Sequence, residues 1–165
     1  MKNYILVACL ALSSMLFAQS PIEKGQAQIN AGFGLSNYGF PVYAGFDYGV
    51  HPDISVGAEV SYRSYHEDYF NSNYDFSIIG ISGNCNYHFN RVLNIPNKFD
   101  VYGGASVGFY IWNSPSGYGG NRASGLGLGL QIGGRYYFND RIGVNLELGG
   151  GNATSGAKIG VSIKL

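Results

Sequence analysis

Apolar and polar positions alternate one by one through most of this chain. In residues 27–35 every odd position is apolar and every even position is Gln, Asn or Gly. A period of two residues places successive side chains on opposite faces of a β-strand. Ile78 beside Ile79 breaks the alternation, which predicts a late start or a β-bulge in the fourth strand. The pattern predicts eight strands, at residues 27–35, 42–50, 54–63, 79–89, 101–111, 126–138, 142–149 and 157–165.

The lengths of the strands and of their connections indicate how the strands are arranged. A tilted strand needs about 9–11 residues to cross a bilayer, and the predicted strands are about that long. Connections at 51–53 and 139–141 are tight, whereas 64–75 and 112–124 are long and polar, and 90–98 is long where a short turn is expected. An even number of strands brings both termini to one end. The short turns are therefore expected there, in the periplasm, and the longer loops outside the cell.

Two architectures share eight alternating strands, a soluble lipocalin-like cup and an outer-membrane barrel. The apolar face of the predicted strands carries no charged residue, and an Arg or Lys there would cost about 2–4 kcal/mol at the bilayer midplane. The other face is mostly Gly, Ser, Asn and Gln. These residues make a poor solvent-facing surface but fit the narrow lumen of an eight-stranded barrel. We therefore predict an all-β, antiparallel, up-and-down transmembrane β-barrel.

Composition supports a membrane barrel and excludes other classes. Only 12% of the residues are charged, against about 25% in soluble domains. Ten basic and ten acidic residues cancel without forming a basic cluster, so nucleic acid is not an expected partner. Aromatic residues fall near the strand ends of the apolar face, as in the girdles that lie at lipid headgroups. The predicted girdle comprises Phe33, Tyr48, Tyr62, Tyr87, Phe89, Phe109, Trp112, Tyr136 and Phe138.

The first residues have the pattern of a secretory signal peptide. Lys2 precedes an apolar run at 4–18 that ends in a small residue, and we predict cleavage between Ala18 and Gln19. The run is too short for a comfortable transmembrane helix of about 20 residues. The predicted organisation is a signal peptide at 1–18, a short lead at 19–25 and the barrel domain at 26–165.

Cysteine content adds two expectations. Cys9 ends a stretch similar to a lipoprotein box, but only five apolar residues precede it, so we do not expect lipidation there. Without the signal peptide Cys85 is the single cysteine, and an internal disulfide is not expected.

Two stretches carry a family resemblance. YYFNDRIGVNLELG at 136–149 and AKIGVSIKL at 157–165, together with the eight alternating strands, resemble small outer-membrane β-barrel proteins of the OmpA transmembrane-domain and OmpX-like group. The resemblance implies an outer-membrane location in a Gram-negative-type bacterium, with lipid as the surroundings. It also implies that the insertion machinery reads the last strand, which ends here in Leu165 where the family usually has an aromatic residue.

Charged residues on the polar face form the main candidate site. Since ions in a narrow lumen must be paired, we expect Arg135, Glu147 and Lys158 to pair across neighbouring strands. Such a network would act as a polar plug, and the alternative is a gate for a narrow ion-conducting path. The predicted lumen charges are Asp47, Glu59, Arg63, Arg135, Glu147, Lys158 and Lys164.

Catalysis and surface binding are the remaining alternatives. His66, Glu67 and Asp68 near Ser64 would be the candidates for a lipid-modifying enzyme, but adjacent side chains on a strand point apart. His88 has no assignable carboxylate beside it, and no spacing typical of metal ligands or of a cofactor site is present. The outer loops are rich in Tyr, Asn, Ser and Gly, which suits a surface ligand. We predict a monomeric, non-enzymatic barrel with a structural or surface-interaction role.

Overall fold

The computed structural model describes residues 22–69, 72–113 and 124–165. Each strand pairs antiparallel with the next along the chain, and the last pairs with the first, so the sheet closes into a barrel. The prediction of an all-β, up-and-down, eight-stranded barrel is confirmed. The strands are β1 (Ala27–Ser36), β2 (Phe40–His51), β3 (Ile54–Tyr69), β4 (Ser72–His88), β5 (Phe99–Asn113), β6 (Gly125–Tyr137), β7 (Ile142–Gly151) and β8 (Gly156–Lys164).

The two faces of the sheet have opposite chemistry. Large apolar side chains such as Leu126, Val60 and Ile159 are exposed on the outer surface. Polar side chains such as Gln28, Asp100 and Ser162 are fully buried in the lumen. This distribution is the reverse of a soluble cup, whose apolar residues fill the interior, and it is the one that a lipid-facing barrel requires.

The strands β3 and β4 extend well beyond their neighbours. Their pairing continues to Tyr69 and Ser72, whereas β3 pairs with β2 only as far as Ser64. The predicted loop at 64–75 is therefore wrong, because most of it is a strand hairpin. The side chains of residues 65–75 lie outside the described part of the structure.

The fourth strand has no bulge and no late start. Its register with β3 runs without a shift, and Ile78 is buried on the inward face together with Phe76. The break in the hydrophobic alternation therefore marks a change of chemistry on one face. On β4 the described inward side chains nearest the hairpin, Phe76 and Ile78, are apolar.

The barrel has two distinct ends. We call the end at which β1 begins and β8 ends the terminal end, and the other the opposite end. At the terminal end the long connection predicted at 90–98 contains a short helix, α1 (Asn90–Leu93). The Asn90 amide donates to the Phe99 carbonyl (2.6 Å), and Arg91 pairs with Asp53 of the neighbouring turn (2.8 Å). The connection is long because it folds back over the strand ends.

The chain before β1 is described from residue 22. Ile22 is buried, and Gly25 N–H donates to the Gly49 carbonyl (2.8 Å), which fixes this lead against the end of β2. The predicted signal peptide and its cleavage site at Ala18 and Gln19 lie outside the described residues and stay predictions. Among the helices in the described part of the chain, none has the length and apolar character to span a membrane.

A charged residue in the outer band tests whether that surface lies in lipid. We expect Val60→Arg to lower the free energy of unfolding by about 2–4 kcal/mol, because the guanidinium would enter the hydrocarbon layer. Denaturant unfolding of the protein in phospholipid vesicles measures this change. Val92→Arg on α1 is the matched control, with an expected change within about 0.5 kcal/mol. Equal, small losses for both variants would contradict the lipid-facing assignment.

Candidate functional site

Glycine makes room in the lumen for a few large side chains. A Cβ at Gly133 would collide with the Tyr102 ring, at a separation that real Cβ atoms do not show. At Gly160 the added atom would lie 2.5 Å from the Tyr43 hydroxyl. An eight-stranded barrel has just enough interior for its side chains, so each large ring needs an opposite position without one.

A continuous chain of hydrogen bonds crosses the lumen toward the terminal end. It takes one side chain from each of the eight strands, and all of these residues are buried. The donor–acceptor distances lie between 2.7 and 2.9 Å. We call this set the transverse network. In order, the bonds join Ser55 to His88, His88 to Asp100, Asp100 to Arg135, Arg135 to Asp47, Asp47 to Asn30, Asn30 to Ser162 and Ser162 to Asn145.

Arg135 is the centre of the transverse network. Its two terminal nitrogens each lie 2.7 Å from a carboxylate oxygen, one of Asp47 and one of Asp100. The guanidinium also stacks over the Tyr102 ring, 4.2 Å from its centroid. When both carboxylates are ionised, the guanidinium of Arg135 and its two partners together carry one excess negative charge. Hydrogen bonds from His88 and Asn30 reach these carboxylates and help to stabilise that charge.

Ser55, His88 and Asp100 have the connectivity of a catalytic triad. His88 Nδ1 lies 2.7 Å from Asp100 Oδ1, and His88 Nε2 lies 2.9 Å from Ser55 Oγ. An ionised Asp100 only accepts, so Nδ1 carries the proton in this pair. All three residues are fully buried, at 0% exposure. A nucleophile acts only where a substrate can reach it, so this connectivity by itself does not indicate an active site.

The carboxylate beside His88 corrects a prediction. The alternation places the start of the fifth strand at Val101, which leaves Asp100 in the preceding turn. In the structure β5 begins at Phe99, so Asp100 lies on the inward face with Tyr102. The signal was present in the sequence, since Asp100 and Tyr102 are two residues apart.

A second charged cluster occupies the middle of the lumen. Lys158 Nζ lies 2.7 Å from Glu59 and 2.8 Å from Glu147. Tyr102 donates its hydroxyl hydrogen to Glu147 (2.8 Å), and the Tyr43 ring centroid lies 4.9 Å from Lys158 Nζ. The expected pairing of Arg135 with these residues does not occur, because Arg135 contacts Asp47 and Asp100.

Two predicted lumen charges stand apart from both clusters. Lys164 lies at the terminal end with Nζ 4.1 Å from the Tyr137 ring centroid. Arg63 lies toward the opposite end, where its nearest hydrogen-bond acceptors are the hydroxyl oxygens of Ser36 and Ser61, each at 3.5 Å. The seven charges predicted from the sequence therefore occupy four separate places along the lumen.

A small cavity separates the two charged clusters. Its volume is about 20 Å³, room for roughly one water molecule, and it is lined by Asp47, Arg135, Glu59 and Lys158 among others. Tyr102 and Tyr137 are each 2% exposed and fill the lumen on the terminal side. The hydroxyl of Tyr137 donates to Gln28 of β1, which fixes that ring across the barrel.

The aromatic residues predicted for the girdle divide between the faces. Most are exposed on the outer surface, including Phe33, Tyr62 and Phe138, although Tyr62 lies in the middle of the long strand β3. Trp112 is a correction, because it pairs in register with the inward-facing Ile78 and therefore belongs to the inner face. Its ring packs edge-on against Tyr38, with centroids 4.8 Å apart.

Other candidate chemistry has less structural support. The side chains of His66, Glu67 and Asp68 lie outside the described part of the structure, so the alternative enzyme site stays a prediction. Among the residues that the structure describes, no group of three His, Cys, Asp or Glu side chains is placed to hold a metal ion. Cys85 is exposed on the outer surface of β4.

Comparisons with known proteins agree with the fold. The model of the family described as outer membrane protein beta-barrel domain matches residues 5–163. No curated protein sequence matches the chain.

Similar solved structures include three bacterial outer-membrane proteins. OprG from Pseudomonas aeruginosa is 13% identical, with a TM-score of 0.67 over 88% of this chain and 99% of that one. The N-terminal barrel domain of OprF from the same organism is 18% identical, with a TM-score of 0.62 over 86% and 98%. Ail from Yersinia pestis, in complex with the heparin analogue sucrose octasulfate, is 16% identical, with a TM-score of 0.54 over 86% and 99%. Identities this low show the shared fold alone.

Arg135 provides a test of the transverse network. We expect Arg135→Gln to lower the free energy of unfolding by about 3–5 kcal/mol, because two buried carboxylates lose their common partner. Denaturant unfolding in vesicles is the measurement. Arg141→Gln is the matched control, since Arg141 is exposed in the turn between β6 and β7 and its loss should cost under about 1 kcal/mol. Comparable losses for the two variants would show that the network is not a stabilising element.

Proposed function

Because the chain belongs to the family of outer membrane protein beta-barrel domains, we propose that it is a barrel with a filled lumen and a structural or surface-interaction role. The transverse network carries the proposal. Its hydrogen bonds tie all eight strands together across the lumen, and each of its side chains is buried. A lumen held in this way is a packed polar core rather than a wide pore.

The competing proposal is a narrow ion path gated by the lumen charges. An ion passing the transverse network would have to displace Arg135 from Asp47 and Asp100 at the same time. It would also have to pass Tyr102 and Tyr137, which are packed in the same half of the lumen. Separating buried ion pairs is costly because each charge is left without a partner. These costs favour the plug over the gate.

An enzymatic role is the less favoured alternative. The Ser55, His88 and Asp100 arrangement has suitable connectivity but is fully enclosed. Ser64 on β3 is exposed, and His66 two residues further along the strand stays a candidate from the sequence. A lipid-A deacylation assay compares the refolded protein with its Ser64→Ala and His66→Ala variants and distinguishes an enzymatic role from a structural one. Turnover lost in those variants would replace the structural proposal.

The partners follow from the two surfaces of the barrel. We propose that lipid covers the apolar outer band and that the insertion machinery reads β8, whose Ile159, Val161 and Ile163 all face outward. All eight strands of the closed sheet come from one chain, so we propose that the protein is a monomer. The extended β3–β4 hairpin projects beyond its neighbours and is the proposed region for a surface ligand.

Conductance distinguishes the plug from the gate. We expect the reconstituted protein to pass no stable current in a planar bilayer. We also expect Arg135→Ala to leave this result unchanged, because Tyr102 and Tyr137 still fill the lumen. A stable current that Arg135→Ala alters would support the gate and overturn the closed barrel. Heat-modifiable migration on a gel verifies that each reconstituted sample is folded.

The orientation of the barrel is a separate prediction. An epitope tag inserted in the β3–β4 connection at residues 70–71 should bind antibody on intact cells. The same tag inserted in the β2–β3 turn at residues 52–53 should bind only after the outer membrane is permeabilised. The opposite outcome would place the terminal end outside the cell.

A further inference from the structure

The lumen widens into a polar vestibule on the side away from the transverse network. This cavity has a volume of about 100 Å³ and reaches the β1–β2 and β7–β8 ends of the barrel at Ser36 and Ser155. Gly129 and Gly149 form part of its wall, so backbone rather than side chains bounds it there. Its volume suits a few water molecules or one small organic ion.

Arg63 lines this vestibule with most of its hydrogen-bonding capacity unused. The residue is only 6% exposed, yet its two contacts with Ser36 and Ser61 are long, at 3.5 Å each. Its Nε–H is buried and has no acceptor. A guanidinium carries five N–H donors in a planar fork, and leaving such donors buried without acceptors is unfavourable. Arg135 also has a buried Nε without a partner, but both of its terminal nitrogens contact carboxylates.

No carboxylate of the described residues contacts Arg63. Among the side chains that the structure describes, the acidic one on the same face of β3 is Glu59, and it is already held by Lys158 through both carboxylate oxygens, at 3.0 and 2.7 Å. Glu147 contacts the same ammonium group at 2.8 Å. Within the described part of the chain, the Arg63 guanidinium therefore has no carboxylate partner, while Glu59 and Glu147 are both paired with Lys158.

From this geometry we infer that the vestibule binds a small monocarboxylate, with Arg63 engaging both of its oxygens. A planar carboxylate matches the guanidinium fork in a bidentate contact. Hydroxyl groups of Ser82, Ser106 and Tyr110 line the same cavity and supply further donors. Glu59 and Lys158 also line the cavity and pair with each other, so Arg63 supplies the uncompensated charge of its described lining, and a singly charged ion matches that charge better than a dianion such as sulfate does. This site does not depend on whether the barrel conducts.

Binding can be tested with formate as the probe. We expect ¹³C-formate to broaden in a saturable way on addition of the refolded protein in detergent micelles. The Arg63 Nε–H resonance of ¹⁵N-arginine-labelled protein should move over the same concentration range. Sodium chloride at equal ionic strength should produce neither change. A response to formate that does not saturate, or that chloride reproduces, would overturn the inference.

Three variants locate the site. We expect Arg63→Gln to weaken formate binding at least about tenfold, because the charged fork is lost. Gly149→Val keeps the charge but fills the cavity, and its added side chain starts from a position whose nearest atoms lie 3.5 Å or more away. It should weaken binding as well. Arg91→Gln, at the other end of the barrel, should bind as the unmodified protein does.

Folding and selectivity complete the experiment. Each variant is used only if it shows the heat-modifiable migration of a folded barrel, so a loss of binding reports on the site. Unchanged binding in both folded Arg63→Gln and folded Gly149→Val would overturn the vestibule site. Sulfate should displace formate only weakly, and displacement as effective as that by acetate would overturn the assignment to monocarboxylates.

Discussion

The ion pairs of Arg135 with Asp47 and Asp100 are the constraint on which the rest of the lumen depends. A closed barrel in lipid can place polar groups only inward, where there is little water to solvate them. Arg135 meets this limit by binding two carboxylates at 2.7 Å each. The remaining oxygens and amides then form a chain that reaches every strand. Each residue of the transverse network is positioned by the next, so the network also fixes the register of the strands relative to one another.

Glycine is the counterpart of this polar core. Tyr43 and Tyr102 project across the lumen, and Gly160 and Gly133 provide the space that their rings occupy. The two tyrosine hydroxyls reach Asn145 and Glu147, so the large rings also connect the charged clusters. The high glycine content is therefore part of the packing of a narrow barrel, and the aromatic content serves the lumen as well as the outer surface.

The lumen is asymmetric along its axis, and this asymmetry organises the functional proposals. Toward the terminal end, ion pairs and tyrosine rings are densely packed and bury their polar atoms. Toward the opposite end, Arg63 faces a cavity of about 100 Å³ with two long hydrogen bonds. A lumen that is packed at one end and has a cavity for a ligand at the other is compatible with a structural role in the membrane. It also allows binding from the side where the β3–β4 hairpin projects.

The sequence by itself determined which face most strand residues occupy, because strand geometry alternates side chains locally and needs no information from elsewhere in the chain. It also placed Asp47, Glu59, Arg135 and Lys158 in the lumen. Only the tertiary structure decided their partners, since strand tilt and barrel closure set which side chains meet across the lumen. Arg135 thus contacts Asp47 of β2, not the expected Glu147 of the adjacent β7.

The residues at which strands begin and end were a second feature that the sequence did not determine. A strand that begins one or two residues early changes the chemistry of the lumen, as Asp100 shows by reaching His88. The apolar Ile78 looked like a fault in the alternation because an inward apolar residue cannot be distinguished locally from a change of phase. Trp112 was assigned outward for the same reason, as one aromatic residue at a strand end fits either face. Alternation is a local property of the backbone, whereas the pairing of charges and the end of each strand are set by closure of the whole barrel.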